Sequence, residues 1–170
     1  MPNVLLAIIF AIAGLIGTSI EWQSVEAEEC GFAISMPAQP EVMADTTRAP
    51  VGPIITLNYV AIDEADSYNV GCSTFPATFF AVVDKAEFLD GGVERFVGGT
   101  GGELISRQEV EVEGHPGRRY AVKVAEAVIY NEVYVVGRRV YQLSVSRWEE
   151  VDFDEDEGLK RFFGSFELRQ

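Results

Sequence analysis

The chain has 170 residues and a formal charge of −14 at pH 7, with 13 basic against 27 acidic residues. Binding to nucleic acid requires a positive field over the phosphates, so this composition argues against a nucleic-acid partner. Residues 28–170 keep every basic residue and stay strongly acidic. They are numerous enough for one domain with a single core and too few for two comfortable ones.

An uncharged apolar run extends from Val4 to Ile20. Val25 and Ala27 occupy the two positions that a signal peptidase recognises before its cleavage site. The run and these residues predict a signal peptide over 1–27, cleaved after Ala27, and a periplasmic or secreted domain over 28–170. The run is nearly long enough to span a bilayer. An uncleaved N-terminal anchor, with membrane contact only through residues 4–20, therefore stays open.

The chain contains two cysteines, Cys30 and Cys72. An oxidising compartment would allow them to pair. Each lies an even number of positions from the apolar residues of its predicted strand, and therefore on the same face as they do. A disulfide between neighbouring strands is then sterically reasonable. Two separate buried thiols are the alternative, because cysteine also packs as a small hydrophobe. Lipidation of Cys30 is disfavoured by the acidic residues before it.

Alternation of apolar and polar residues, or a β-rich run bounded by turn residues, predicts seven strands in chain order. They are Gly31–Met36, Ile54–Ile62, Ser67–Phe75, Leu104–Glu111, Arg118–Val124, Val128–Val136 and Arg139–Arg147. The intervening segment from Glu41 to Gly52 is predicted to be a polar loop. Turns are predicted at 114–117 and at Gly137-Arg138.

Two helices are predicted from capping residues and helical spacing. The first begins at Asp84, has Glu87 three residues on, and ends at the glycine pair 98–99. The second is short, with Asp154 and Glu157 as its capping pair, and is stopped by a glycine.

The strand from Val128 to Val136 is apolar on both faces, with Ile129 on one side and Tyr130 on the other. Both faces of the sheet therefore require cover. An antiparallel or mixed sheet with a helix packed on each side is the economical solution, which places the chain in the α+β class.

Four short strings support this architecture: 32–37, 114–118, 139–143 and 161–166. Together they resemble exported PsbP-like or DcrB-like domains. The resemblance implies an α/β/α sandwich with a mostly antiparallel sheet of about six to seven strands and a helix on each face. Many bacterial members have no known activity, and photosystem-associated relatives dock on membrane complexes without catalysis. Each string is a structural element, so the resemblance transfers no functional residue.

Catalytic signatures are missing from the sequence. His115 is the single histidine and lies in a predicted turn, and no Gly-x-Ser-x-Gly string supplies a nucleophile elbow. The glycine-rich stretch 98–102 follows a predicted helix, whereas a phosphate-binding loop precedes one. It is therefore interpreted as a helix end. We therefore name no catalytic residue and expect no cofactor.

The acidic stretch 152–158 resembles a calcium loop in its alternate carboxylates, but Glu157 stands where the sharp turn needs glycine and Phe163 where a bidentate glutamate is needed. Acidic residues that stabilise the start of the last helix account for the same stretch. We therefore expect no metal site.

Six basic residues fall on three consecutive predicted strands and their turn, interleaved with tyrosines: Arg118, Arg119, Lys123, Arg138, Arg139 and Arg147. On an acidic protein this cluster could bind an anionic partner. It could equally pair with the surplus carboxylates as an ordinary solvated face.

The sequence thus predicts a non-catalytic binding or assembly module of the cell envelope or extracytoplasmic space, with an unidentified protein partner. A small-ligand binder is the alternative, with its pocket between sheet and helix around Leu89 and Phe96. A hydrolase ranks below both, because its carboxylates could not be paired from the sequence.

Overall fold

The computed structural model describes residues 21–64 and 66–169. Within these ranges the chain forms ten strands and three helices. Their bounds are β1 Gln23–Ala27, β2 Phe32–Met36, β3 Glu41–Ala49, β4 Gly52–Asp63, β5 Asp66–Thr74, α1 Phe79–Val82, α2 Lys85–Thr100, β6 Glu103–Val112, β7 His115–Val124, β8 Ala127–Val136, β9 Arg139–Arg147, α3 Glu157–Gly164 and β10 Glu167–Leu168.

The strands form two sheets in which neighbouring strands are antiparallel. The large sheet has seven strands in the order β3-β4-β5-β9-β8-β7-β6, and the small sheet has the order β1-β2-β10. Every strand predicted from alternation is present, and the α+β class is confirmed. The predicted loop over 41–52 is wrong, because most of it forms β3.

β3 was missed for a physical reason. It pairs with β4 over nine registered positions from Glu41 to Ala49. It lies at the edge of the large sheet and is exposed on both faces. A strand without a buried face has no apolar and polar alternation, which is the signal that identified the other strands.

The start of α2 is as predicted, because the Asp84 carboxylate accepts a hydrogen bond from the Glu87 N–H at 2.9 Å. The predicted end at glycines 98–99 is wrong. The helix continues to Thr100 and ends at Gly101, which adopts a left-handed conformation with φ of 63°. That conformation is favourable for glycine, and it closes the helix with hydrogen bonds back to the preceding turn.

The cap of α3 is Asp156, whose carboxylate accepts from the Leu159 N–H at 2.8 Å. The predicted cap, Asp154, lies two residues too early and instead forms an ion pair with Arg119. The helix buries Leu159, Phe162 and Phe163, and its last residue is a glycine, as predicted.

The large sheet has different cover on its two faces. One face packs against α2, where Leu89 and Val93 meet Tyr120 and Val122 of β7. The other face packs against the small sheet and α3 in a larger core. One helix covering each face is therefore not confirmed, since the small sheet shares the second face with α3.

β1 lies just before the predicted cleavage position. It pairs with β2 over five registered positions, and Val25 and Ala27 are buried. Cleavage after Ala27 would remove β1 from the small sheet, and the processing position stays a prediction. The predicted leader segment 4–20 lies outside the described residues. Across the described ranges, no helix combines the length and apolarity needed to cross a membrane.

Candidate functional site

The two cysteines form the predicted disulfide. Cys30 lies in the turn between β1 and β2, and Cys72 lies in β5, with 6.1 Å between their Cα atoms. Both are buried. The bond therefore joins the small sheet to the large one. The Cys30 carbonyl oxygen also accepts hydrogen bonds from the Tyr141 hydroxyl at 2.6 Å and from the Arg139 guanidinium at 2.8 Å.

The six basic residues do not lie together on one surface. Arg118 is buried and faces α2, where its Nε donates to the Asp90 carboxylate at 2.7 Å. Arg119 lies on the opposite face of the sheet, because neighbouring residues in a strand alternate between faces. Arg107 also pairs with Asp90, so this carboxylate joins β6, β7 and α2. Hydrogen bonding from Arg118 holds the pKa of Asp90 below its usual value.

Arg119 forms part of a buried network. Its guanidinium lies 2.6 Å from the Glu132 carboxylate, which also accepts a hydrogen bond from the Tyr134 hydroxyl at 2.6 Å. Burial of the hydroxyl, together with the Glu132 charge, raises the pKa of Tyr134. Arg119 further pairs with Asp154 and stacks over the Phe153 ring at 4.2 Å.

The remaining basic residues are distributed around the same sheet. Arg147 pairs with Asp66 and Asp156, and Lys123 pairs with Glu150 at 3.3 Å. Arg139 donates to backbone carbonyl oxygens of the β1–β2 turn. Arg138 is exposed at the turn between β8 and β9. Five of the six side chains are therefore engaged within the chain, and Arg138 presents its charge to solvent.

The acidic stretch near α3 behaves as a helix start. Asp152 accepts from the Asp154 N–H at 2.8 Å, and Asp156 caps α3 while pairing with Arg147. In the described part of the chain, no three histidine, cysteine or carboxylate side chains are arranged to hold a metal ion.

His115 begins β7, directly after a turn formed by Glu113 and Gly114. The turn predicted at 114–117 therefore lies two residues too late in the chain, since His115, Pro116 and Gly117 belong to the strand. Gly117 is required by a close approach, because an added Cβ would lie 2.4 Å from the Tyr134 ring. His115 borders a shallow cleft with Arg139.

A second cleft, of about 350 Å³, opens beside α2, on the face of the large sheet against which α2 packs. Helix α2 contacts β7 and β8 and leaves neighbouring strands uncovered. The cleft floor carries hydroxyl and amide side chains from β4, β5 and β9: Thr56, Asn58, Ser67, Asn69, Ser73, Gln142, Ser144 and Ser146. Phe96 of α2 forms part of the wall, whereas Leu89 is buried beneath the helix and does not line the cleft.

Part of this polar floor is already hydrogen bonded. The hydroxyls of Thr56 and Ser73 lie 2.8 Å apart, and Ser144 donates to the Asn131 side chain at 2.8 Å. Asn69 differs, because its Oδ1 is buried and has no hydrogen-bond partner among the described residues. Its neighbours across the sheet are Val60 and Ser144. Asn69 therefore holds an unpaired acceptor that is buried within the floor of the cleft.

This polar floor was not predicted from the sequence, although a signal was present. In β5, Ser67 and Asn69 alternate with Tyr68 and Val70, and β9 repeats the same pattern. Alternation of this kind is typical of a half-exposed strand. The alignment of these strands into one continuous polar surface depends on the register of strand pairing, which the alternation within each strand does not specify.

The two edges of the large sheet differ. β6 has a bulge between Leu104 and Ser106 and carries several glutamates. Bulges and charges protect an edge from further pairing. β3 pairs with β4 without a register shift and exposes Val42 and Met43, which are 53% and 48% accessible. β3 is thus the less protected edge.

The chain has a PsbP-like fold. It resembles the solution structure of the cyanobacterial PsbP protein CyanoP from Synechocystis sp. PCC 6803, at 14% identity and a TM-score of 0.58. That likeness covers 94% of this chain and 98% of the other. No protein-family model and no curated protein matches the chain.

Two further solved structures are more distantly similar. One is a Pseudomonas aeruginosa protein of unknown function, at 11% identity and a TM-score of 0.41, covering 74% of this chain and 82% of the other. The second is from Bacteroides thetaiotaomicron, at 11% identity and a TM-score of 0.38, covering 82% of this chain and 46% of the other. Both likenesses are too weak to show a shared fold.

Proposed function

We propose that this chain is an exported, non-catalytic binding or assembly module that docks on a protein of the cell envelope or extracytoplasmic space. The disulfide between Cys30 and Cys72 carries this proposal. Disulfides form and persist in oxidising compartments, which favours a periplasmic or secreted domain. Cleavage of the leader gives a free domain, and retention of residues 4–20 gives one tethered to the membrane.

Docking is best supported at the β3 edge. Its outer backbone groups have no strand partner among the strands that the structure describes. A partner segment in extended conformation can add to such an edge by main-chain hydrogen bonds, while alternate side chains such as Val42 contact it. The bulge and the glutamates of β6 make the opposite edge a poorer acceptor.

The basic residues contribute less than their sequence clustering predicts. Changing Arg118 would break a buried ion pair with Asp90, so its effect on a partner could not be separated from unfolding. Arg138 is exposed at a hairpin turn and can be changed without that complication. Partner binding through the basic residues stays a prediction, and the variant that tests it is Arg138→Glu.

The experiment is recovery of partners from the native host by crosslinking and affinity purification. We expect Val42→Lys and Met43→Lys to reduce partner recovery strongly, because each places a charge on the docking strand. The matched controls are Leu104→Lys and Ile105→Lys, which change side chains of similar exposure, 39% and 42%, on the other edge. Equal recovery with all four variants would contradict docking at β3, and finding the native protein in the cytosol would contradict export.

Small-ligand binding is the second candidate function, and the open cleft at Phe96 favours it. The predicted location was near Leu89 and Phe96, and Phe96 does line this cleft. Native mass spectrometry of protein purified from its host would test it, with a bound small molecule as the expected result. A uniform unliganded mass from freshly purified protein would argue against this candidate.

A further inference from the structure

We infer that the cleft beside α2 is a binding site for a short neutral carbohydrate, of which it holds one or two pyranose rings. This inference rests on the second proposed function and gives its ligand a chemical class. Every residue lining the cleft is uncharged, although the chain carries 13 basic and 27 acidic residues. A charged ligand would find no counter-charge there, and its desolvation would be uncompensated.

The hydrogen-bonding groups fit hydroxyls. Serine and threonine hydroxyls and asparagine and glutamine amides each both donate and accept, as sugar hydroxyls do. The Oδ1 of Asn69, which is buried in the floor, is an acceptor without a partner among the described residues. An apolar ligand would bury the half-exposed Gln142 amide without a partner, at a cost of about 1–3 kcal/mol.

The shape of the cleft fits a ring. Its floor is the pleated surface of β4, β5 and β9, and Phe96 stands at its side, held edge-on to Tyr120 with ring centroids 5.6 Å apart. The C–H face of a pyranose can pack against such an aromatic side chain while its hydroxyls reach the floor. A volume of about 350 Å³ is at the small end of the range for ligand sites, about 300–1,000 Å³.

The position of Gly71 is consistent with this use of the floor. Gly71 lies between Asn58 and Gln142 in the register of the sheet. A Cβ added there would lie 3.1 Å from Asn58 Oδ1, so the absence of a side chain leaves that amide oxygen accessible from the cleft. The amide groups of Asn58 and Gln142 therefore lie on either side of Gly71 on the cleft floor.

The test is titration of the ¹⁵N-labelled protein, observed by NMR, with maltotriose and separately with chitotriose. The two sugars distinguish a plain glucan from one that carries acetamido groups, and trigalacturonate provides a charged comparison. We expect one or both neutral sugars to shift the side-chain amide resonances of Asn58, Asn69 and Gln142, with a dissociation constant of about 1 mM or tighter.

Gln142→Ala is expected to weaken binding about tenfold, which corresponds to about 1.4 kcal/mol. Gln108→Ala is the matched control, since Gln108 is an exposed glutamine on β6 away from the cleft. Ser146→Ala, at the other end of the cleft, serves as a second variant should Gln142→Ala fold poorly.

Three results of titrating the natural protein would overturn the inference. They are no response to either neutral sugar, shifts that map outside the cleft, and trigalacturonate binding as tightly as the neutral sugars. Loss of binding in Gln108→Ala equal to that in Gln142→Ala would place the site elsewhere and have the same consequence. Failure here is separable from failure of small-ligand binding, because native mass spectrometry of the protein from its host detects a bound molecule of any class. It is also separable from failure of docking, because partner recovery depends on β3 and the cleft variants leave that edge unchanged.

Discussion

Arg119 and Glu132 lie directly opposite each other on β7 and β8, and their guanidinium and carboxylate groups are 2.6 Å apart. Glu132 is 2% exposed, so its charge is compensated almost entirely by Arg119 and by the hydroxyl of Tyr134. Arg119, which the sequence places in a candidate surface cluster, is thus half-buried and paired with an interior carboxylate. The relationship explains why the basic residues stabilise the sheet more than they present a binding surface.

The first prediction concerns this pair. Arg119→Met should lower the free energy of unfolding by about 3–5 kcal/mol, because it leaves the Glu132 carboxylate buried without its partner. Adding Glu132→Gln should recover part of that loss, since the neutral amide can keep the contact with Tyr134. Urea denaturation of the single and double variants measures both effects. The control is Lys123→Met, which removes an exposed ion pair and should cost less than about 1 kcal/mol. Equal losses for Arg119→Met and Lys123→Met would show that the buried network has no special role.

The second prediction concerns the disulfide. Cys30 and Cys72 are separated by 42 positions in the chain. Closing a loop of that length is worth about 4 kcal/mol in the chain-entropy model, so the Cys30→Ala/Cys72→Ala variant should lose about that much stability. Denaturant unfolding with and without reductant measures it, and the variant itself should be insensitive to reductant. Two alkylatable thiols in the non-reduced native protein would contradict the disulfide.

The third prediction concerns β1. A chain beginning at Glu28 lacks the strand and the buried side chains of Val25 and Ala27, and it also lacks Trp22, whose ring packs edge-on against Tyr68 at 5.6 Å. We expect it to be less stable by at least about 2 kcal/mol than a chain beginning at Glu21, because one buried aliphatic side chain alone is worth about 1.5–3 kcal/mol.

Thermal and urea unfolding of the two chains test this expectation. Equal stability would mean that β1 is dispensable and would support cleavage after Ala27. A large loss would favour processing upstream of Trp22 or retention of the leader. The N-terminus of the protein isolated from its host, read by mass spectrometry, distinguishes these outcomes.

The fourth prediction is a pH dependence. Hydrogen bonding from Arg118, with a further contribution from Arg107, lowers the pKa of Asp90 in the folded state. A carboxyl with a depressed folded pKa stabilises the fold above its unfolded pKa, about 3.9, and loses that contribution as the pH falls through the folded value. Asp90→Asn should therefore lower the melting temperature at pH 7, and its difference from the natural protein should shrink below about pH 4.

Melting curves between neutral and acidic pH provide the measurement. Asp45→Asn is the control, because Asp45 is exposed on β3 and forms no ion pair among the described residues. We expect it to melt like the natural protein throughout. A constant difference for Asp90→Asn down to the lowest pH would indicate a packing effect and contradict the charge argument.

Local patterns decided most of the secondary structure. The alternation in β5 and β9 and the cap at Asp84 depend on neighbours within a few residues, so they can be read from the sequence. β3 could not be read in this way, because an edge strand exposed on both faces has no alternation. One end of each predicted helix was also displaced, since several glycines follow α2 and several aspartates precede α3.

The acidic character, the strands with one buried face, the alternation that lets Cys30 meet Cys72, and the resemblance to PsbP-like domains can all be read from the amino-acid sequence. What the charged and polar side chains do depends on the folded arrangement. The partners of Arg118 and Arg147, Asp90 and Asp66, lie 28 and 81 positions away in the chain. Likewise, the polar floor beside Phe96 exists because three strands align in register where α2 leaves the sheet uncovered. Electrostatic pairing and surface cover depend on distances in space, which local sequence patterns do not specify.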